Sequence, residues 1–126
     1  MKNDPTLTIV SLLAMLFAII HLCHDMALGF APGGLSNIPV VLVLAIWLYT
    51  TLELAGRPTG YIVNLVLSLF LCAIPVLHMM GRRGITAGIA EPAGALFFAF
   101  TCLAVGALAV LSVLLTVRRL VSSRAR

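Results

Sequence analysis

Four apolar runs, at residues 6–29, 38–55, 60–80 and 92–117, take up most of the 126-residue chain. Each comes close to the roughly 20 residues that an α-helix needs to cross the hydrocarbon core of a bilayer. No water reaches backbone N–H and C=O groups in that core, so a spanning segment must close its own hydrogen bonds, as a helix does. The runs therefore predict an all-α fold: an integral membrane four-helix bundle, up-down-up-down, forming one transmembrane domain over residues 1–126. Little chain is left for a soluble domain. Composition agrees, since 10% of the residues are charged, against about a quarter in soluble domains. Residues 1–30 read as a retained first span rather than a signal peptide. Asp4 offsets Lys2, the apolar run is long, and no cleavage site of the A-x-A kind follows it.

Charge placement orients the bundle. With four spans, the N-terminus, the turn near 56–59 and the C-terminal tail share one side, which carries Lys2, Arg57, Arg118, Arg119, Arg124 and Arg126. The other side has Arg82 and Arg83. The positive-inside rule then predicts both termini in the cytoplasm. The basic tail reads as an orienting element touching anionic lipid, and no nucleic-acid partner is expected.

The chemistry is concentrated in His21-Leu-Cys-His-Asp25, near the outer end of the first run. Ser11, Ala14, Ala18, His21 and Asp25 follow a 3-4-3-4 spacing, which puts them within roughly 80° of arc on a helix. This small and polar face should look into the bundle, with His24 on its flank. If the core ends near Leu28, His21 lies about 10 Å below the outer surface, at ~1.5 Å per residue. In the third run Asn64, Ser68, Cys72 and His78 share one face, and polar residues within a span usually face protein. Pro75 lies one turn before His78 and is expected to kink the helix there. His21, Asp25 and His78, with His24 beside them, thus form a candidate metal site between helices one and three. Zinc, copper or iron suit such donors, and Met26, Met79 and Met80 would add softer ones for copper.

Competing functions remain open on the residues alone. His78 with His21 or His24 could ligate a b-type haem, as bundles host cofactors between facing helices. Asp25 and the histidines could serve proton-coupled transport, although below Asn64 the interior offers little beyond Ser11 and Thr50. A structural or accessory subunit with no site is the third reading. No enzymatic reaction follows from the residues. Cys23, Cys72 and Cys102 form no C-x-x-C pair, which speaks against a thiol–disulfide relay.

Other features read as scaffold. Asp4-Pro5 opens the first helix, Gly29 to Gly34 turns the chain, and Ser36 or Asn37 should cap the second helix. Trp47 and Tyr49 fit an interfacial belt, and Glu53 with Arg57 at i+4 fits a helical ion pair. Ala95, Ala99, Cys102, Gly106 and Ala109 mark a seam of small residues for close helix packing, within the chain, in a homo-oligomer or in a larger membrane complex. The segments Gly29-Phe-Ala-Pro-Gly-Gly34, Trp47-Leu-Tyr49 and Pro75-Val-Leu-His-Met79 resemble small bacterial four-span membrane proteins, a resemblance that implies the fold and no activity. The chain differs from small multidrug transporters, which carry a glutamate in the middle of the first span.

Overall fold

The computed structural model describes residues 4–80 and 89–124. Four α-helices occupy them: α1 (Pro5–Ala27), α2 (Ile38–Leu52), α3 (Pro58–Met80) and α4 (Pro92–Arg124). All four are long and apolar enough to cross a membrane, α2 together with the 3-10 turn Gly34–Asn37 that leads into it. No strand occurs among the described residues. Against the expected runs, α2 stops early at Leu52, whereas α4 continues beyond 117 to Arg124. Arg82 and Arg83 lie outside the described residues.

The ends of α1 are closed by side-chain and backbone devices. Asp4 Oδ1 accepts from Thr6 N at 3.1 Å and Leu7 N at 3.3 Å, and Pro5 needs no acceptor because it has no N–H. At the other end Gly29 takes φ +73°. Its N–H bonds Met26 O, and the Phe30 N–H bonds Asp25 O at 2.8 Å. This is the left-handed helix stop that glycine permits at low cost. Asn37 occupies the cap position of α2, but its side chain turns back to donate to Pro32 O and to Met26 Sδ. It braces the α1–α2 connection rather than capping α2.

In the bundle α4 packs along most of α1 and α3, while α2 touches the same two helices less extensively. Helices α1 and α3 are thus diagonal partners that meet through side chains at the centre. Along α4 the inward line is Phe98, Thr101, Cys102, Val105, Ala109, Ser112 and Thr116, all buried. Of the expected small-residue seam, Cys102 and Ala109 lie on this line, while Ala95, Ala99 and Gly106 flank it half-buried. Gly106 has a specific use: a Cβ there would stand 2.6 Å from Pro75 Cγ, so the proline ring of α3 rests directly on the α4 backbone. Gly60 is confined likewise, since an added Cβ would meet Leu54 O at 2.2 Å. The α2–α3 turn therefore lies against the first turn of α3.

The centre is polar. Asn64 of α3, 4% exposed, makes four hydrogen bonds to the other three helices. Its Oδ1 accepts from Ser11 Oγ of α1 and from Trp47 Nε1 of α2, both at 2.8 Å. Its Nδ2 donates to Ser112 Oγ at 3.0 Å and Thr116 Oγ1 at 2.8 Å, both on α4. Ser68 donates to Ser112 at 2.9 Å. Every donor and acceptor of the amide is used, the condition under which a buried polar group stops being a cost. Trp47 accordingly departs from the interfacial belt. It is 2% exposed while Tyr49 is 58% exposed, because the indole N–H finds its acceptor inside the bundle.

The ends of α1 and α4 are tied by Arg119 Nε and Asp4 Oδ2 at 2.5 Å. No ion pair joins Glu53 to Arg57 among the described residues. Helix α2 has ended before Glu53, so the two do not stand one turn apart on a helix. The Arg119 guanidinium, followed by the backbone N–H groups of the cap, holds the Asp4 carboxyl below the usual carboxylate range.

Two outcomes are expected. Asn64→Leu should lower unfolding stability in detergent by about 2–4 kcal/mol, since it removes the acceptor of the buried Trp47 N–H and of Ser11 and the donor to Thr116, whereas Ser68→Ala should cost about 1 kcal/mol or less. Equal losses in the two variants would show that Asn64 has no central role. Because the folded Asp4 pKa is depressed, its contribution is present above the unfolded value near 3.8 and disappears as pH falls through the folded value. An unfolding titration of wild type against Asp4→Asn should therefore show curves that differ at neutral pH and converge in acid.

Candidate metal centre

Each member of the site is placed by a feature described above. His21 and Asp25 sit one turn apart on α1, with the left-handed stop at Gly29 just beyond them, and the Asp25 carbonyl is the acceptor of that stop. His78 is in the last turn of α3, three residues after the Pro75 ring that rests on α4. Across the diagonal His21 Nε2 and His78 Nε2 stand 3.1 Å apart. Asp25 Oδ2 lies 3.9 Å from the first and 3.7 Å from the second. These two separations are too long for hydrogen bonds, so the three atoms surround a common point. A point equidistant from atoms so spaced lies about 2.1 Å from each, the length of a zinc–nitrogen or zinc–oxygen bond.

Burial is graded through the cluster. The His21 side chain is 2% exposed, Asp25 15% and His78 25%, so the group opens toward the end of the bundle. The other carboxylate oxygen, Asp25 Oδ1, is buried without a hydrogen-bond partner. A half-buried carboxylate with a buried orphan oxygen and two imidazoles just beyond bonding distance is costly unless a cation compensates it.

The remaining candidates fall elsewhere. His24 is not in the group. Its ring lies against Phe97 at 5.4 Å and Phe98 at 5.5 Å between centroids, on the flank of α1 facing α4. Met26 is engaged with Asn37, and Met79 and Met80 are 64% and 78% exposed.

Two residues of α4 were not singled out from the sequence. Phe98, 1% exposed, has its ring 4.8 Å from His21, 5.0 Å from His78 and 5.5 Å from His24. It forms the apolar wall of the site. Thr101 Oγ1 lies 3.0 Å from His21 Nδ1. The signal for Thr101 was present in principle, because a hydroxyl inside an apolar span tends to face protein, as Asn64 does. Phe98 had no such signal among its aromatic neighbours Phe97 and Phe100.

The fold and site define a small four-helix protein of membrane-spanning character with a His-His-Asp group that could hold a metal ion. Comparison with protein-family models, with curated proteins and with solved structures finds no match to the chain.

Proposed function

We propose that the protein is an integral membrane protein that binds one divalent transition-metal ion through His21 Nε2, His78 Nε2 and the Asp25 carboxylate, in a bacterial inner membrane with both termini in the cytoplasm. The observation that carries this reading is the triangle of 3.1, 3.7 and 3.9 Å among the three donor atoms. Its size suits bonds of about 2.1 Å. Two imidazoles and one carboxylate are the donors of three-ligand zinc sites and of non-haem ferrous centres, both of which keep a position open to water or substrate. The exposure of His78 leaves that position toward the end of the bundle. Zinc or ferrous iron is favoured over Cu(I), because the donors are two imidazoles and a carboxylate and not soft sulfur ligands. An ion with an open position suits sensing, transfer or chemistry on a small ligand.

The geometry weighs against a haem between the same histidines. Axial nitrogens on a haem iron stand about 4 Å apart, with a macrocycle between them, whereas these are 3.1 Å apart and edge to face. Proton-coupled transport gains at one end and loses in the middle. A small cavity of about 20 Å³, whose lining includes Asp4, Thr8, Ser11, Thr51, Tyr61 and Asn64 beside apolar residues, supplies groups that the sequence left sparse below Asn64. Between the Asn64 cluster and His21, however, the core includes Ala14, Ala18, Cys102 and Val105, which carry no good proton relay. A purely structural role has one observation in its favour, the His21–His78 contact, which is a hydrogen bond when one imidazole donates to the other. That latch leaves Asp25 Oδ1 unexplained.

The test is elemental analysis of detergent-purified full-length protein from a metal-replete host, followed by titration with zinc or ferrous iron. About one ion per chain is expected. His21→Ala, His78→Ala and Asp25→Ala should each weaken binding by more than the roughly 10–100-fold that a supporting partner contributes, and His24→Ala should leave it nearly unchanged. Metal-free protein that takes up neither ion would sink the reading and leave the structural latch in its place.

A further inference from the structure

We infer that Thr101 is the positioning residue of this centre: it holds the proton of His21 on Nδ1, so that the Nε2 lone pair is aimed at His78 and Asp25. The inference builds on the metal-binding reading for its consequence, but its geometry stands on its own.

The argument is a count of protons. Thr101 Oγ1 makes two contacts, 3.0 Å to Phe98 O and 3.0 Å to His21 Nδ1. The hydroxyl has one hydrogen to share between them. A carbonyl oxygen has none, so the contact with Phe98 O is a hydrogen bond only if the hydroxyl donates to it. This is the usual habit of threonine within a helix, whose Oγ1 turns back to a carbonyl one turn earlier. Oγ1 must then act as acceptor toward His21, and the donor is Nδ1–H. The opposite assignment, hydroxyl to imidazole, would leave two oxygens facing each other at 3.0 Å with no hydrogen between them. Only one tautomer of His21 makes both contacts bonds.

That tautomer has its lone pair on Nε2, the atom that faces His78 Nε2 at 3.1 Å and Asp25 Oδ2 at 3.9 Å. A metal takes an imidazole through its unprotonated nitrogen, and the partner of the other nitrogen fixes which one that is. Thr101 and His21 are both nearly free of solvent contact, so no water competes for Nδ1. The site therefore draws on three helices. Helices α1 and α3 bring the ligands, and α4 sets the proton of the most buried one. Without the threonine hydroxyl, His21 is free to move its proton to Nε2, where it blocks the ion.

Nitrogen-15 NMR of histidine-labelled full-length protein in micelles, without metal and at neutral pH, reads the tautomer directly. The His21 signals are identified by their loss in His21→Gln. The expected result is a protonated Nδ1 and an unprotonated, imine-type Nε2. In Thr101→Val the proton should redistribute toward Nε2 and zinc affinity should fall about 10–100-fold, while Thr101→Ser should restore both. A wild-type His21 protonated on Nε2 would overturn the inference without any variant having to fold. So would a Thr101→Val protein with unchanged tautomer or unchanged zinc affinity, in which case zinc binding itself would still stand. Wild-type protein that binds no zinc but carries the proton on Nδ1 would uphold the lock while removing the metal-binding reading.

Discussion

The arrangement of the four helices depends on one buried amide. In a bilayer no hydrophobic force drives helices together, because lipid tails are as apolar as leucine. Close packing and interhelical hydrogen bonds must supply specificity instead. Asn64 does so by bonding side chains of α1, α2 and α4 at once, with all of its donors and acceptors engaged. Any rotation or sliding of one helix by a fraction of a turn would strand at least one of these groups in apolar surroundings. The weakly packed α2 illustrates the point. Its buried residues are Trp47, Thr50 and Thr51, and Trp47 reaches Asn64.

The His21–Asp25–His78 cluster depends on that arrangement at a distance. His21 is ten residues along α1 from Ser11, and His78 is fourteen along α3 from Asn64. The Ser11–Asn64 bond sets the diagonal pair in register, and the His21–His78 contact repeats the pairing about four turns of α3 further on. Near the site Pro75 and Gly106 let α3 and α4 approach at backbone distance. Phe98 and Thr101 are thereby brought against the histidines from a third side. The result is a small polar cluster with an apolar wall, a surrounding that strengthens charge interactions and keeps donor orientations narrow.

Where sequence reasoning failed, a tertiary contact had overridden a local rule. Trp47 matched the interfacial pattern, yet an acceptor from α3 drew it inside. Glu53 and Arg57 had the spacing of a helical pair, but α2 had already ended; the ion pair of that end is Asp4–Arg119, across 115 positions of chain. Asn37 had the chemistry of a cap and instead bonds Pro32 and Met26. Thr101 carried the same kind of signal as Asn64, but its importance lies in an imidazole eighty residues away.

The helical class, and which residues of α1 and α3 are able to meet, were legible from the amino-acid pattern alone. Span length, backbone hydrogen bonding in lipid and the 3.6-residue period are local physics, so His21, Asp25 and His78 were legible as a set. That the set closes to a triangle of 3.1, 3.7 and 3.9 Å, that His24 stays outside it, and that α4 places an aromatic wall and a hydroxyl against His21 were settled by tertiary packing. Those outcomes turn on separations of a few tenths of an ångström between different helices. Periodicity along a single helix does not encode distances of that kind.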